Sequence, residues 1–201
     1  VRLGLIDYGA GNLPSVKRAF QRLGAETVPV RTPEESAAVD ALVLPGVGHF
    51  AALARTLEQQ GLFSALREAV AAGKPFLGIC LGLQALYASS EEAPGLPGMG
   101  IFPGVVRALP SSVKLPHMGW NQMRPLGPSR VLAGIPSDAW FYFAHSYAAP
   151  ADAAGTVATV THGREFAAAA ESGNIFAVQF HPEKSGEAGA AVLRNFLEAS
   201  R

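Results

Sequence analysis

The sequence predicts an α/β protein: a mostly parallel central sheet flanked by helices, with an additional antiparallel section in the second half. Three observations carry that expectation. Short apolar runs alternate with helix-period segments through the first half, as strands joined by helical crossovers do. The segments that follow residues 7, 44 and 79 carry chemistry-bearing or glycine-rich motifs, and open α/β sheets place their ligands at such carboxyl ends of strands. In the second half, strand-like runs follow one another with no helical segment until the final residues.

Residues 1–7 read as the first strand. Leu13, Val16, Phe20 and Leu23 recur at steps of three and four, one face of a helix reached through a loop from Gly9 to Asn12. Residues 27–30 form a second strand, and Pro33-Glu34-Glu35 starts a short helix capped by Thr32. The run 41–44 is a third strand. Helical stretches follow near 50–58 and 62–72, the second closed by Gly73 and then Pro75. Residues 75–79 are a buried strand, and 81–88 read as a helix directly after it. A Pro/Gly-rich loop spans 91–99. Beyond it, 105–109, 140–143, 156–161, 165–170 and 174–180 are expected as strands. Residues 188–199 are the closing helix, with Val192, Phe196 and Ala199 on one side.

Length and composition narrow the function classes. A chain of 201 residues and 20.9 kDa suits one domain, residues 1–201, able to bury a substantial core. At 49% apolar residues it is not disordered. Sixteen basic side chains balance sixteen acidic ones, so no surplus points to nucleic acid or an anionic membrane. One cysteine excludes an internal disulfide framework and fits a reducing compartment. No apolar run nears the roughly 20 residues of a membrane span, and the first residues are too few for a signal peptide's apolar region. A cytoplasmic protein is expected.

The most informative stretch is Gly78-Ile79-Cys80-Leu81-Gly82-Leu83-Gln84. It puts the single cysteine where a buried strand turns into a helix, the arrangement of a nucleophile elbow. A helix N-terminus is worth at most roughly 2 kcal/mol to a nearby anion, so a histidine partner is needed to populate the thiolate. Of five histidines, His181 has the strongest context. It ends an apolar strand, Pro182 favours an extended backbone at His181, and Glu183 two residues on would lie on the same side of that backbone. A carboxylate there could fix the imidazole tautomer. Leu44-Pro45-Gly46-Val47-Gly48-His49-Phe50 adds a Gly-rich strand-to-helix loop. Its N–H groups could serve as oxyanion donors; a phosphate cradle or a plain turn are the alternatives, and it is neither a Walker loop nor GxGxxG. These residues give acyl transfer on an amide or thioester. No metal or other cofactor is expected, since CxxC and HxxxH spacings are absent.

PGVG at 45–48, GICLGLQ at 78–84 and HPEKS at 181–185, in that order, resemble the class I (triad) glutamine amidotransferases. Ile6-Asp7-Tyr8-Gly9-Ala10-Gly11-Asn12-Leu13, Pro116-His117-Met118-Gly119-Trp120-Asn121 and Phe141-Tyr142-Phe143-Ala144-His145-Ser146-Tyr147 are similar to the glutaminase subunits of imidazole glycerol phosphate synthase. The resemblance implies that Cys80 attacks the glutamine amide, His181 acts as base and then acid, and Glu183 orients it. It implies oxyanion donors at Val47, Gly48 and Leu81, and glutamine contacts at Gly46, Gln84, His145, Ser146 and Tyr147. The implied partner is a (β/α)8-barrel cyclase subunit, which receives ammonia and faces Asn12, Trp120, Asn121, Tyr142 and Lys184. His49, His117 and His162 receive no role.

Other readings remain at this level: the glutaminase of a pyridoxal phosphate synthase, a cysteine hydrolase of peptides or esters, and a non-catalytic module on the same fold. The DYGAGN and PHMGWN segments argue against the first, and the intact Cys80-His181-Glu183 set against the last. A barrel of about 250 residues cannot be fitted here, so a synthase function requires a partner in trans.

Overall fold

The computed structural model describes residues 1–9 and 12–201, so Ala10 and Gly11 of the predicted first loop lie outside the described residues. In chain order the first half reads β1 (Arg2–Ile6), α1 (Leu13–Arg22), β2 (Glu26–Val30), α2 (Pro33–Ala37), β3 (Ala41–Gly46), α3 (Phe50–Gln59), α4 (Leu62–Ala71), β4 (Phe76–Cys80) and α5 (Leu81–Gln84). The second half reads β5 (Tyr87–Ser90), β6 (Phe102–Ala108), β7 (His117–Gln122), β8 (Arg124–Pro125), β9 (Trp140–His145), β10 (Tyr147–Ala148), β11 (Thr156–His162), β12 (Arg164–Ser172), β13 (Ile175–Val178), a 3₁₀ turn (Pro182–Lys184) and α6 (Gly186–Ala199).

The main sheet has eight strands in the order β2-β1-β3-β4-β13-β12-β11-β8. The ladders from β2 through β13 are parallel, and those of β12 with β13 and of β11 with β12 and β8 are antiparallel. The fold is therefore the expected mostly parallel α/β sheet with an antiparallel extension. The chain runs from β1 out to β2 and returns past it to β3, so the order reverses at β1. The carboxyl ends of β3, β4 and β13 lie side by side, with Gly46 in register with Cys80.

The apolar runs are continuous because both sheet faces are covered. Along β3, Leu42 and Leu44 enter a core shared with α3 and α4, whereas Ala41 and Val43 enter a second core shared with α1 and α6. On α1, Val16 and Phe20 are fully buried, each contributing about 1.5–3 kcal/mol. At α2 the Thr32 hydroxyl accepts the Glu35 N–H, and the Glu35 carboxylate accepts the Thr32 N–H, a complete capping box.

Two local expectations change. The helix read over 81–88 stops at Gln84, and Tyr87–Ser90 is a strand. From Leu81 to Tyr87 every residue is buried, so periodicity does not separate helix from strand. The deciding partners come from the following loop: Met99, Ile101, Gly100 and Gly98 donate their N–H groups to the carbonyls of Ala85, Leu86, Tyr87 and Ala88. The segment around Trp120, absent from the expected strands, is strand β7. It pairs antiparallel with β9 from His117↔His145 to Gln122↔Trp140.

Candidate active site

Cys80 ends β4 and caps α5 with φ 55° and ψ −108°, the one non-glycine residue with positive φ among the described residues. Strain of this kind persists only where the surroundings impose it. Here glycines let α5 lie directly on the strand ends. A Cβ on Gly82 would fall 1.9 Å from the Leu44 carbonyl oxygen, and one on Gly78 would fall 2.6 Å from the Gly82 carbonyl oxygen. The GICLGLQ spacing is thus a packing requirement that aims a buried sulfur away from its own strand.

His181 is delivered from the end of β13. Its Nδ1 lies 2.9 Å from Glu183 Oε1, and both side chains are almost wholly buried. The expected pairing is present, but the backbone that makes it is not extended throughout. His181 is extended and Pro182–Lys184 form a 3₁₀ turn, which swings Glu183 back under the imidazole. Asn12 Nδ2 donates to the same carboxylate oxygen at 2.6 Å. The Ser185 hydroxyl closes the turn by donating to the His181 carbonyl, and His181 N–H donates to the Tyr142 carbonyl at 2.8 Å. Burial, the largest single influence, lowers the His181 pKa. Hydrogen bonds to Cys80 and Glu183, and the negative charge of both, outweigh it and raise the pKa to about 10. An imidazole so placed is suited to the general-base role.

Beside the sulfur lies a cavity of about 220 Å³ lined by Val47, Gly48, Cys80, Leu81, Gln84, Glu92, Pro116, Ala144, His145, Ser146 and Tyr147. The sequence-predicted substrate contacts Gln84, His145, Ser146 and Tyr147 all line it. Gly46 does not; it sits behind the cavity, against Leu81 and Gly82, where only a glycine fits. Of the expected oxyanion donors, Val47 has its N–H engaged by the Tyr8 hydroxyl at 3.2 Å. Gly48 and Leu81 line the cavity, and Leu81 opens α5, where N–H groups have no carbonyl partner within the helix.

Sequence reasoning passed over Tyr8, Glu92, Pro116, Ala144 and Gln179. Tyr8 is a neutral donor and acceptor, its pKa pushed up to about 12 mainly by burial. Glu92 accepts the Phe50 N–H at 3.0 Å and brings a carboxylate to the cavity wall. Gln179 is fully buried and bonds both Gln84 and Cys80. A polar residue inside the apolar run Ile175 to Phe180 was the available signal for it.

The histidines without an assigned role acquire one. His49 Nδ1 accepts the Ala51 N–H and caps α3. His145 Nδ1 donates to the Tyr147 carbonyl at 2.8 Å, so its Nε2 accepts from His117 Nδ1 at 2.9 Å. His162 stacks on His117 with centroids 4.3 Å apart. Burial, reinforced by His162, lowers His117 to about 4. Burial also takes His145 to about 3, against the Tyr147 hydrogen bond. Both are neutral at ordinary pH.

The outward face of β7 and β9 adjoins this site. Met118, Trp120 and Trp140 are 64%, 53% and 52% exposed. Trp120 packs edge-on against Tyr142, and Lys184 Nζ lies 5.7 Å from the Tyr142 ring centre. Asn121 instead turns inward, its Nδ2 3.3 Å from His117 Nε2. Asn12 is committed to Glu183, so of the five residues expected at a partner surface these two hold the site from within. Among the described residues, no helix is long and apolar enough to cross a membrane.

The family model "Glutamine amidotransferase class-I" matches residues 4–199. Imidazole glycerol phosphate synthase subunit HisH of Methanothermobacter thermautotrophicus is 50% identical over 199 residues, covering 99% of both chains. The protein of the same name from Moorella thermoacetica is 46% identical over 200 residues, covering 99% of this chain and 95% of its own. A crystal structure of a glutamine amidotransferase superposes with a TM-score of 0.79 at 21% identity, covering 98% of each chain, and so shares the fold.

Proposed function

The chain belongs to the class-I glutamine amidotransferases, and from that premise we propose that Cys80, His181 and Glu183 are its hydrolytic triad. Its function is that of the glutaminase subunit of imidazole glycerol phosphate synthase. It hydrolyses glutamine to glutamate and passes the ammonia to a cyclase subunit, which makes imidazole glycerol phosphate and an aminoimidazole carboxamide ribotide in histidine biosynthesis.

His181 takes the thiol proton, and the Cys80 sulfur attacks the side-chain amide carbon of glutamine. The oxyanion of the tetrahedral intermediate falls toward the N–H groups of Gly48 and Leu81; each such donor is worth roughly 3–4 kcal/mol. Val47 joins them only on release from Tyr8. His181 returns the proton to the departing nitrogen, ammonia leaves, and a glutamyl thioester remains. Water, deprotonated by His181, attacks that thioester, and the sulfur leaves as glutamate forms. Glu183 holds the Nδ1–H tautomer throughout. Both N–H groups of Gln84 are spent on Gln179 and Tyr147, so Gln84 offers its oxygen to the substrate. Glu92 supplies a counter-charge for the substrate's ammonium group.

The observation that supports this reading best is a strained, buried cysteine on the cavity that Gln84, His145, Ser146 and Tyr147 line, with a buried His181–Glu183 pair hydrogen-bonded to that cysteine from behind the cavity wall. The partner, a (β/α)8-barrel cyclase, docks on the aromatic face of Trp120 and Tyr142 with Lys184 beside it. We place the whole chain in one domain acting in the cytoplasm, where a buried free thiol persists. Glutamate release from glutamine, with and without the cyclase subunit and its ribonucleotide, tests the proposal. Strong stimulation that vanishes in Cys80→Ala is expected. Undiminished turnover in Cys80→Ala would dismiss the triad.

A further inference from the structure

We propose that Gln179 is a further residue of the hydrolytic machinery, donating a hydrogen bond to the Cys80 sulfur and fixing its place over the glutamine cavity. The inference rests on Cys80 being the nucleophile.

Gln179 follows β13, and its side chain is fully buried between apolar neighbours Val178 and Phe180. A buried amide is costly unless its polar atoms are satisfied. An apolar side chain of similar size would pack there without that cost, so the amide must be read through its bonds. Its Oε1 accepts from Gln84 Nε2 at 3.2 Å, and its Nε2 lies 3.6 Å from Cys80 Sγ. The orientation is determined by the neighbours. Gln84 presents its amino group, donating also to the Tyr147 carbonyl at 2.9 Å. The Gln179 oxygen must therefore face Gln84, and its amino group must face the sulfur.

That orientation distinguishes the two states of the sulfur. The neutral thiol can donate to the Ala144 carbonyl, 3.9 Å from Sγ. The thiolate only accepts, and Gln179 is a preorganised donor for it. A donor aimed at a charge is worth more for the charged state than for the neutral one. The Gln179 amide loses no proton in the cycle; the thiol proton goes to His181, and Gln179 stabilises the charge left behind. Through Gln84 the same bonds reach Tyr147, so the nucleophile and the cavity wall are held by one set of side chains.

Cys80 is the single cysteine of the chain, so alkylation by iodoacetamide reports on it alone. In the full-length chain, Gln179→Met removes the donor at similar size, and Gln179→Glu replaces it with an acceptor of the same shape. The pH midpoint of alkylation is expected to rise by about one unit in Gln179→Met and further in Gln179→Glu. With the cyclase subunit and its ribonucleotide present, kcat for glutamine hydrolysis is expected to fall about tenfold or more, with KM changing less. In the wild-type chain, the ¹⁵N-labelled Gln179 side-chain amide should shift as the thiol titrates, and this response should be lost in Cys80→Ala. Folded variants whose alkylation profiles superimpose on the wild type would overturn the proposal. So would an amide resonance that ignores the thiol titration, a measurement that needs no Gln179 variant to fold. Turnover surviving in Cys80→Ala would instead sink the triad itself, and is thereby told apart.

Discussion

Replacing Gly82 by alanine tests the elbow that holds Cys80, the proposed nucleophile. The added Cβ would lie 1.9 Å from the Leu44 carbonyl oxygen and 3.3 Å from Leu44 Cγ. The obstructing oxygen belongs to β3, hydrogen-bonded between β1 and β4, so no flexible side chain can move aside. Restoring an ordinary contact requires α5 and β3 to separate by about 1.5 Å. Overpacking costs about 1–3 kcal/mol, and a backbone obstruction belongs at the upper end. For a chain of this size that is a Tm lower by about 6–12 °C. The same displacement moves Leu81 and Gln84 relative to Cys80, and a 1 Å misplacement costs roughly 10²-fold in rate. The control is Gly127→Ala, where a Cβ meets nothing within 4 Å. Thermal unfolding followed by circular dichroism, and cyclase-stimulated glutamate release, would be measured for both. A Gly82→Ala protein with Tm within about 2 °C and activity within about threefold of the wild type would refute the close-approach argument.

Acid should destabilise the fold through its neutral histidines. His145 and His117 titrate near about 3 and about 4 when folded and near 6.5 when unfolded. Between those values the unfolded chain binds more protons, so stability falls as pH drops below about 6.5. The urea midpoint of His117→Gln should fall less steeply over that window than the wild type's; equal slopes would reject the assignment. His181, raised to about 10, works in the opposite sense: the stability from its pairing is complete below about 6.5 and is lost as pH rises through 10. Trp120→Ala should weaken cyclase binding by about 30-fold, as a central aromatic anchor does, while its own melting hardly moves because Trp120 is half exposed. Calorimetric titration with the cyclase would check it, and unchanged affinity would remove Trp120 from the interface. Lys74 Nζ donates to the carbonyls of Ser36, Ala37 and Val39. Lys74→Met should therefore cost about 1–3 kcal/mol in a urea melt with kcat intact; loss of activity at full stability would contradict its structural role.

Much of the site was legible because its signals are local. The glycines around Cys80 sit at a strand-to-helix junction, and the need for them is visible in seven residues. His181 and Glu183 were found as a pair because their link spans one proline, although a 3₁₀ turn and not an extended strand brings them together. The capping box at Thr32 was readable for the same reason. The errors occur where distant chain decides. The segment after Gln84 leaves the helix because residues 98–101 return to take its carbonyls. The segment around Trp120 is a strand because β9 lies beside it.

From the residues alone came the alternating α/β architecture and the proposed triad of Cys80, His181 and Glu183, since period, turn chemistry and motif spacing are properties of neighbours in the chain. Tertiary structure alone decided which polar groups meet. Gln179 reaches a sulfur 99 positions away, Tyr8 engages a backbone amide 39 positions on, and His117 bonds His145 across two strands. Hydrogen bonds in a buried site are set by a few tenths of an ångström and by which partners remain unsatisfied. That information exists only once the sheet has brought those segments together.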